Sequence, residues 1–245
     1  MKHKTLSTAD VGSTKSDEQG EIKSPSKRMN KKIKRMLFIF FGIAVLAGIY
    51  LFRVSIVKKI YGIQQPKLEN AQSILNTAKK YHLNTSCLVT VALSDFLNMK
   101  KDFNNGIPEA LIFDRQSNYI EYKPTDSSCN GNLSDFIHAM HKNGRYKMSG
   151  KTTLNKEMVK LRDIQGNQLV STYLDPTADF YILVAWTVFA GRLNRDHVKV
   201  WETLALSNKK AKVQIIEVNL DVQKWWPEGP LKDSILKTYG ITNTF

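Results

Sequence analysis

Residues 36–52 read MLFIFFGIAVLAGIYLF, an apolar run of 17 residues without one charged side chain. No other stretch limits the chain so strongly. A helix crosses a bilayer with about 20 predominantly apolar residues. Arg53 can snorkel along its own methylenes, so that Val54–Val57 extend the span. Residues 36–57 are therefore expected to form a single transmembrane helix. A cleaved signal is the competing reading for an apolar segment this close to the N-terminus. Val45-Leu46-Ala47 is a passable cleavage site, yet the apolar residues continue through it to Phe52, and a 35-residue basic leader is long for a signal. Leu46-Ala47-Gly48 resembles a lipid-attachment site, but Ile49 stands where the modified cysteine is required. The uncleaved anchor is the stronger reading.

Charge then sets the orientation. Seven Lys and Arg lie between Lys23 and Arg35, against four (Arg53, Lys58, Lys59, Lys67) in the fifteen residues after the run. The positive side faces the cytoplasm. Three segments are expected: 1–35, a disordered basic cytoplasmic segment; 36–57, the span; and 58–245, an extracytoplasmic or periplasmic domain held at a cell inner membrane. The formal net charge of +14 is concentrated at the front. After residue 70 the chain carries 22 Lys and Arg against 17 Asp and Glu, an ordinary solvated surface. Nucleic acid binding calls for a basic helix or an aromatic–basic groove, and neither is found. The juxtamembrane lysines suit anionic lipid headgroups. Ala44 and Gly48 have the spacing of close helix pairs, a pattern common by chance.

Both cysteines, Cys87 and Cys129, fall in the exported part. There they can oxidise to a bridge across a loop of roughly 40 residues, with a stabilisation of about 4 kcal/mol. Two free thiols, one buried in a strand, is the other reading, and spacing alone leaves both open.

Periodicity predicts an amphipathic helix over 67–82 with Leu68, Ala71, Ile74, Leu75 and Ala78 on one face. A buried strand follows at 86–94, then one or two helical turns at 95–103. Strands are predicted at 109–113 and 119–123 and a short helix at 132–144. Residues 145–179 read as polar and looped, with a helix over 154–164. Beyond them come strand 180–186, a helix over 192–206 with Leu193, His197, Val200, Trp201 and Leu204 on one face, strand 211–221, and a last helix at 231–241. Such alternation indicates α/β or α+β.

The stretch AWTVFAGRLN, residues 185–194, runs from a strand into a tight turn and a helix. It resembles the thioredoxin family, in particular its membrane-tethered extracytoplasmic members. Trp186 falls on the family's strand-end aromatic, Phe189 on the motif tryptophan and Gly191 on the motif glycine. Ala190 and Leu193 fall on the two motif cysteines. VNLD at 218–221 matches the family's next strand, and Trp225 resembles a tryptophan many tethered members have soon after it. The resemblance implies a thioredoxin-like α/β domain (βαβ plus β-hairpin and helix) without its reaction. Redox exchange needs a thiolate at the helix N-terminus and a second thiol to resolve the mixed disulfide. Alanine and leucine supply neither. What the resemblance leaves is a platform, with Trp186, Phe189 and Arg192 on a polypeptide-holding groove or, more plainly, the two aromatics in the core.

The family continues past its Val-Asn-Val-Asp strand to a helix, Ile-Pro, a β-hairpin and a final helix. Here that second half is found upstream, in GIPEALIFDRQSNYIEYKP and the helix after it, with Pro108 in the place of the family's cis-proline. The resemblance thus implies a core in permuted order, with 142–179 as the connection. Two incomplete halves, or an α/β domain in which Ile-Pro merely starts a strand, are the competing arrangements.

Other candidates are weaker. His138 and His141 stand at i,i+3, but only Cys129 and Asp135 are near enough in sequence to complete a metal site. His197 reads as a boundary residue, Cys129 lacks a neighbour to lower its pKa, and Trp225-Trp226 before Pro227 reads as a core plug rather than a docking patch. No phosphate-cradling glycine loop, cofactor motif or metal site emerges. The expectation is a redox-inactive, membrane-anchored protein with a protein partner, acting in binding or assembly at the cell envelope. The alternative is a divergent thiol–disulfide oxidoreductase using Cys87 and Cys129.

Overall fold

The structure, a computed structural model, describes residues 31–104, 106–123, 130–170 and 173–242. Of the disordered leader expected over 1–35, residues 1–30 lie outside these residues, as does Cys129, while 31–35 form the start of a helix. The chain forms two compact units, Met1–Leu51 and Phe52–Phe245. The boundary falls inside the first helix, α1 (Lys31–Tyr61). Its 31 residues reach about 46 Å at 1.5 Å each. Among the described residues no helix is long and apolar enough to cross a membrane. Within the apolar run the side chains of Leu37, Ile43, Ala44 and 46–52, the Ala44–Gly48 pair included, lie outside those described.

Glycine ends α1. Gly62 adopts φ +63°, a left-handed conformation open to glycine at little cost. Its N–H donates to the Lys59 carbonyl at 3.3 Å, and the Ile63 N–H donates to Lys58 at 2.8 Å. This is the paired closure of a Schellman end. Lys58 and Lys59 in the last turn add favourable charge at the negative end of the helix.

The second unit is mixed α/β, built on a seven-stranded mixed sheet in the order β4-β3-β2-β6-β7-β1-β5. The strands are β1 (Leu88–Val91), β2 (Glu109–Asp114), β3 (Asn118–Ile120), β4 (Met148–Thr153), β5 (Leu161–Arg162), β6 (Phe180–Trp186) and β7 (Val213–Asn219). β6, β7 and β1 run parallel; β2, β3 and β4 pair antiparallel on one side and β5 on the other. The uninterrupted apolar run FYILVAW suits the centre of such a sheet, where both faces are covered. Phe180, Ile182, Val184 and Trp186 point into one layer, with α2 (Ala71–Lys80), α4 (Leu133–Ala139) and α6 (Lys199–Ser207). Tyr181, Leu183 and Ala185 point into the other, with α3 (Phe96–Asp102), α5 (Leu154–Met158) and α7 (Pro230–Tyr239). The period of two along a strand sorts them.

Two helical readings change. The helix expected over 154–164 stops at Met158, because Leu161 joins the sheet edge, where Val91 pairs with Leu161 and Thr90 with Arg162. The connection 142–179 is not simply loop: it crosses from β4 at one edge of the sheet to β5 at the other. The helix after the turn begins as a π-helical segment, Asn194–Val198, before α6. Its buried face is Asn194, Val198, Trp201, Glu202 and Ala205, one residue away from the apolar face read in the sequence. Two of those five positions are polar side chains with partners inside, which hydropathy cannot anticipate. At the other end, α7 begins with Pro230 in its first turn and stops at Gly240 in the left-handed region.

Candidate functional site: the turn after β6

β6 delivers Trp186 into the core, where it is fully buried. Thr187 continues extended, and Val188–Ala190 make one 3-10 turn. Gly191 then takes φ +60°, ψ −130°, a conformation costly for any side chain. Ala190 and Gly191 are buried, Phe189 and Leu193 half-buried, Arg192 exposed. Of the apolar groove suggested by the sequence, Trp186 is core and only part of Phe189 and Leu193 meets solvent.

A polar network beneath fixes the turn. Asp221, just beyond β7, accepts from the Val188 N–H at 2.6 Å and from the Asn219 side-chain amide at 2.7 Å. Gln223 donates to the Asn219 side chain at 3.0 Å and to the Asp221 carbonyl at 2.8 Å. From the other side the Asn194 amide donates to the Thr187 carbonyl at 2.8 Å. Asp221 is wholly buried, and desolvation pushes its carboxyl up to about 7 against the pull of those two hydrogen bonds; Glu69 nearby adds in the same upward direction.

The chain's own residues sit on top of this turn. The Arg192 N–H donates to the Tyr61 carbonyl at 2.7 Å, and the Gln64 N–H donates to the Phe189 carbonyl at 2.9 Å. The Arg192 guanidinium reaches the Ile60 carbonyl at 3.5 Å. A Cβ on Gly191 would lie 2.4 Å from the Tyr61 oxygen and 2.5 Å from that of Gly62, so glycine is demanded by approach as well as by φ. The last carbonyls of a helix lack intrahelical partners; those of Ile60 and Tyr61 find theirs in Arg192. The strap continues to Glu69, which pairs with Gln223 as an isolated parallel bridge.

Pro108 lies at the same end of the sheet. The register pairs Glu109 with Ala185, so Pro108 stands beside Trp186, just ahead of the turn. The Ile107–Pro108 peptide is cis. Asn130 donates to the Pro108 carbonyl at 2.6 Å. Glu109, buried, accepts from the Tyr122 hydroxyl at 2.6 Å and from the Lys123 ammonium. Burial and the Glu109 carboxylate together push the Tyr122 phenol well above its usual range.

Cys87 is not part of this site. It is a half-buried free thiol just ahead of β1, two strands from β6, whose neighbour Leu88 pairs with Glu217 in the interior of β7. Burial raises its pKa, and the carboxyls of Glu217 and Glu202 raise it further, opposite to what a reactive thiol needs. Those two glutamates come from β7 and α6, and both accept from the Asn84 N–H, at 3.3 and 3.2 Å. Burial and the neighbouring Glu202 carboxylate hold Glu217 well above the usual carboxylate range. Nothing in the spacing of Glu202 and Glu217 announces the pair. His138, His141 and His197 are exposed. Among the described residues no three His, Cys, Asp or Glu side chains converge as metal ligands. Trp226 is buried and Trp225 half-buried, packed over Gly166.

Sequence reasoning marked Trp186, Phe189, Ala190, Gly191, Arg192, Leu193 and Pro108, and the fold gathers them at one end of the sheet. It missed Asp221, Asn194 and the strap. An aspartate directly after an apolar strand was the available signal for the first; main-chain bonds of the strap leave none. Comparison of the chain with family models, with curated proteins and with solved structures finds no match.

Proposed function

We propose that the chain is a membrane-anchored, redox-inactive thioredoxin-like protein that acts as a protein-binding or assembly component of the cell envelope. In this reading 36–57 spans the inner membrane, the N-terminus is cytoplasmic and the domain is extracytoplasmic. Supporting the thioredoxin-like part, β6, the turn, the helix ending in α6, and β7 follow the family's strand–turn–helix–strand order. The hairpin β2–β3 and helix α4 precede them and lie against β6, as a permuted core requires. Ala190 and Leu193 at the two thiol positions argue for binding over exchange.

The observation that carries the binding role is the way the turn is used. Its main chain at Phe189 and Arg192 holds a second segment of polypeptide by two hydrogen bonds, at 2.9 and 2.7 Å. A surface that engages backbone in this manner serves protein contact and needs no reactive group.

The test is photo-cross-linking in cells from Val188 or Arg192, with cross-linkers on exposed positions of α7 as the control face. A discrete partner captured from the turn and not from α7 supports the reading; capture from α7 alone ends it. Retention of the full chain in the membrane pellet after alkaline washing tests the anchor, and release into the supernatant would remove it.

A further inference from the structure

The segment on the turn is held there mostly by main chain. Of residues 61–65, Gly62, Gln64 and Gln65 are exposed, and Tyr61 and Ile63 are half-buried. Glu69 is the first fully buried side chain after α1. The contact therefore consists chiefly of the Tyr61 carbonyl on Arg192, the Gln64 N–H on Phe189 and the close approach at Gly191. Segments with few buried apolar contacts open locally far more readily than the core beside them. The other side of the contact is different. The turn is pinned from beneath by Asp221 and Asn194, so it keeps its form when the strap leaves.

We propose that the strap 61–64 is a resident, displaceable occupant of a polypeptide-docking site, and that the partner is a protein segment presenting the same main-chain pattern. This inference rests on the reading of the turn as a protein-binding surface. The pattern is specific. A carbonyl at one residue faces the Arg192 N–H, and an N–H three residues later faces the Phe189 carbonyl. The residue after the carbonyl is glycine, because Gly62 holds φ +63° there. Partner binding and the capping of α1 by Arg192 are then mutually exclusive. Docking a partner frees the carbonyls of Ile60 and Tyr61, and a change at the end of the anchor helix opens or closes the site.

The test uses the full chain in lipid nanodiscs and a fluorescein-labelled peptide of residues 58–67, KKIYGIQQPK, as the probe. Gln64→Pro removes the donor to Phe189, and Gly62→Val places a β-branched residue at a positive φ; both changes lie in the strap and leave the residues of the turn, 187–193, unaltered. Both variants are expected to bind the peptide about tenfold more tightly than the unaltered chain, the weight of about one net hydrogen bond. The same peptide with valine in place of its glycine is expected not to bind. Amide exchange at Arg192 is expected to quicken in both variants while β6 amides keep their protection, which shows release without unfolding. Equal peptide affinity for the three proteins, or binding to none, overturns the displaceable strap. Cross-linking in cells separates this from failure of the parent reading. A partner captured equally from Arg192 with and without Gly62→Val leaves the binding role and removes the strap's control. Capture from neither removes the binding role itself.

Discussion

Arg192 caps the helix that ends at Tyr61: its main-chain N–H donates to the Tyr61 carbonyl at 2.7 Å. The residue that follows the turn glycine thus finishes a helix 131 positions earlier in the chain. Arg192 is exposed and its guanidinium contact is long, so the main chain carries the relationship. Arg192→Ala is expected to change stability by less than about 0.5 kcal/mol, as measured by urea denaturation.

Gly191→Ala is the opposite case. Alanine at φ +60° is strained, and its Cβ would meet the Tyr61 oxygen at 2.4 Å. A loss of about 1–3 kcal/mol is expected, together with faster exchange of the Gln64 and Arg192 amides. Wild-type protection of both amides in the variant would show that the strap is not seated as described.

Asp221 makes stability depend on pH. Its carboxyl titrates near 7 when folded and near 3.9 when unfolded, so between those values the folded state binds the additional proton. The contribution of Asp221 is fully present below about pH 4 and is lost as pH rises to about 7, by at most about 1.4 kcal/mol per unit. Asp221→Asn keeps an acceptor for the Val188 N–H and abolishes this part of the slope. Glu217, also raised, contributes a remaining slope of the same sign. Melts from pH 4 to 8 check it; an unchanged slope in Asp221→Asn would assign the effect elsewhere.

The thiols are expected to be dispensable. A Cys87→Ser, Cys129→Ser double variant should keep its biological activity, and the purified protein should not accelerate insulin reduction. Cys87, raised by burial and by Glu217 and Glu202, should react with a thiol reagent at pH 7 more slowly than free cysteine. Catalysis lost in the double variant would restore the oxidoreductase alternative.

Trp226 is expected to behave as core. It is 2% exposed, its indole N–H donates to the Val91 carbonyl at 3.0 Å, and its ring meets Phe96 edge-on at 4.9 Å. Trp226→Ala should cost about 3–5 kcal/mol and Trp226→Phe about 1 kcal/mol for the lost hydrogen bond. Equal stability of all three by urea denaturation would return it to the surface.

The sequence by itself determined the elements whose signal is local. FYILVAW reads as a fully buried strand because both its faces are covered, and VNLD as the end of another. The turn after Trp186 is legible because Ala190, Gly191 and Leu193 sit between a strand pattern and a helix pattern. The last helix was legible as an element, although Gly240, in the left-handed region, ends it before the expected 241. Tertiary structure decided the rest, for physical reasons. Asn194 and Glu202 occupy buried helix positions where the Asn194 amide N–H donates to Thr187 and the Glu202 carboxylate accepts from Asn84 and Lys199, and no periodicity records a partner such as Asn84, 118 residues away from Glu202. The polar strand MSGKTT joins the sheet at an edge, where apolar alternation is not demanded. The strap from Tyr61 to Gln64 reaches the turn through N–H and C=O groups that every residue carries, so side-chain identity is silent about it. Only the fold, by bringing the end of α1 to the turn after β6, decided that a platform without a reactive group already holds a chain.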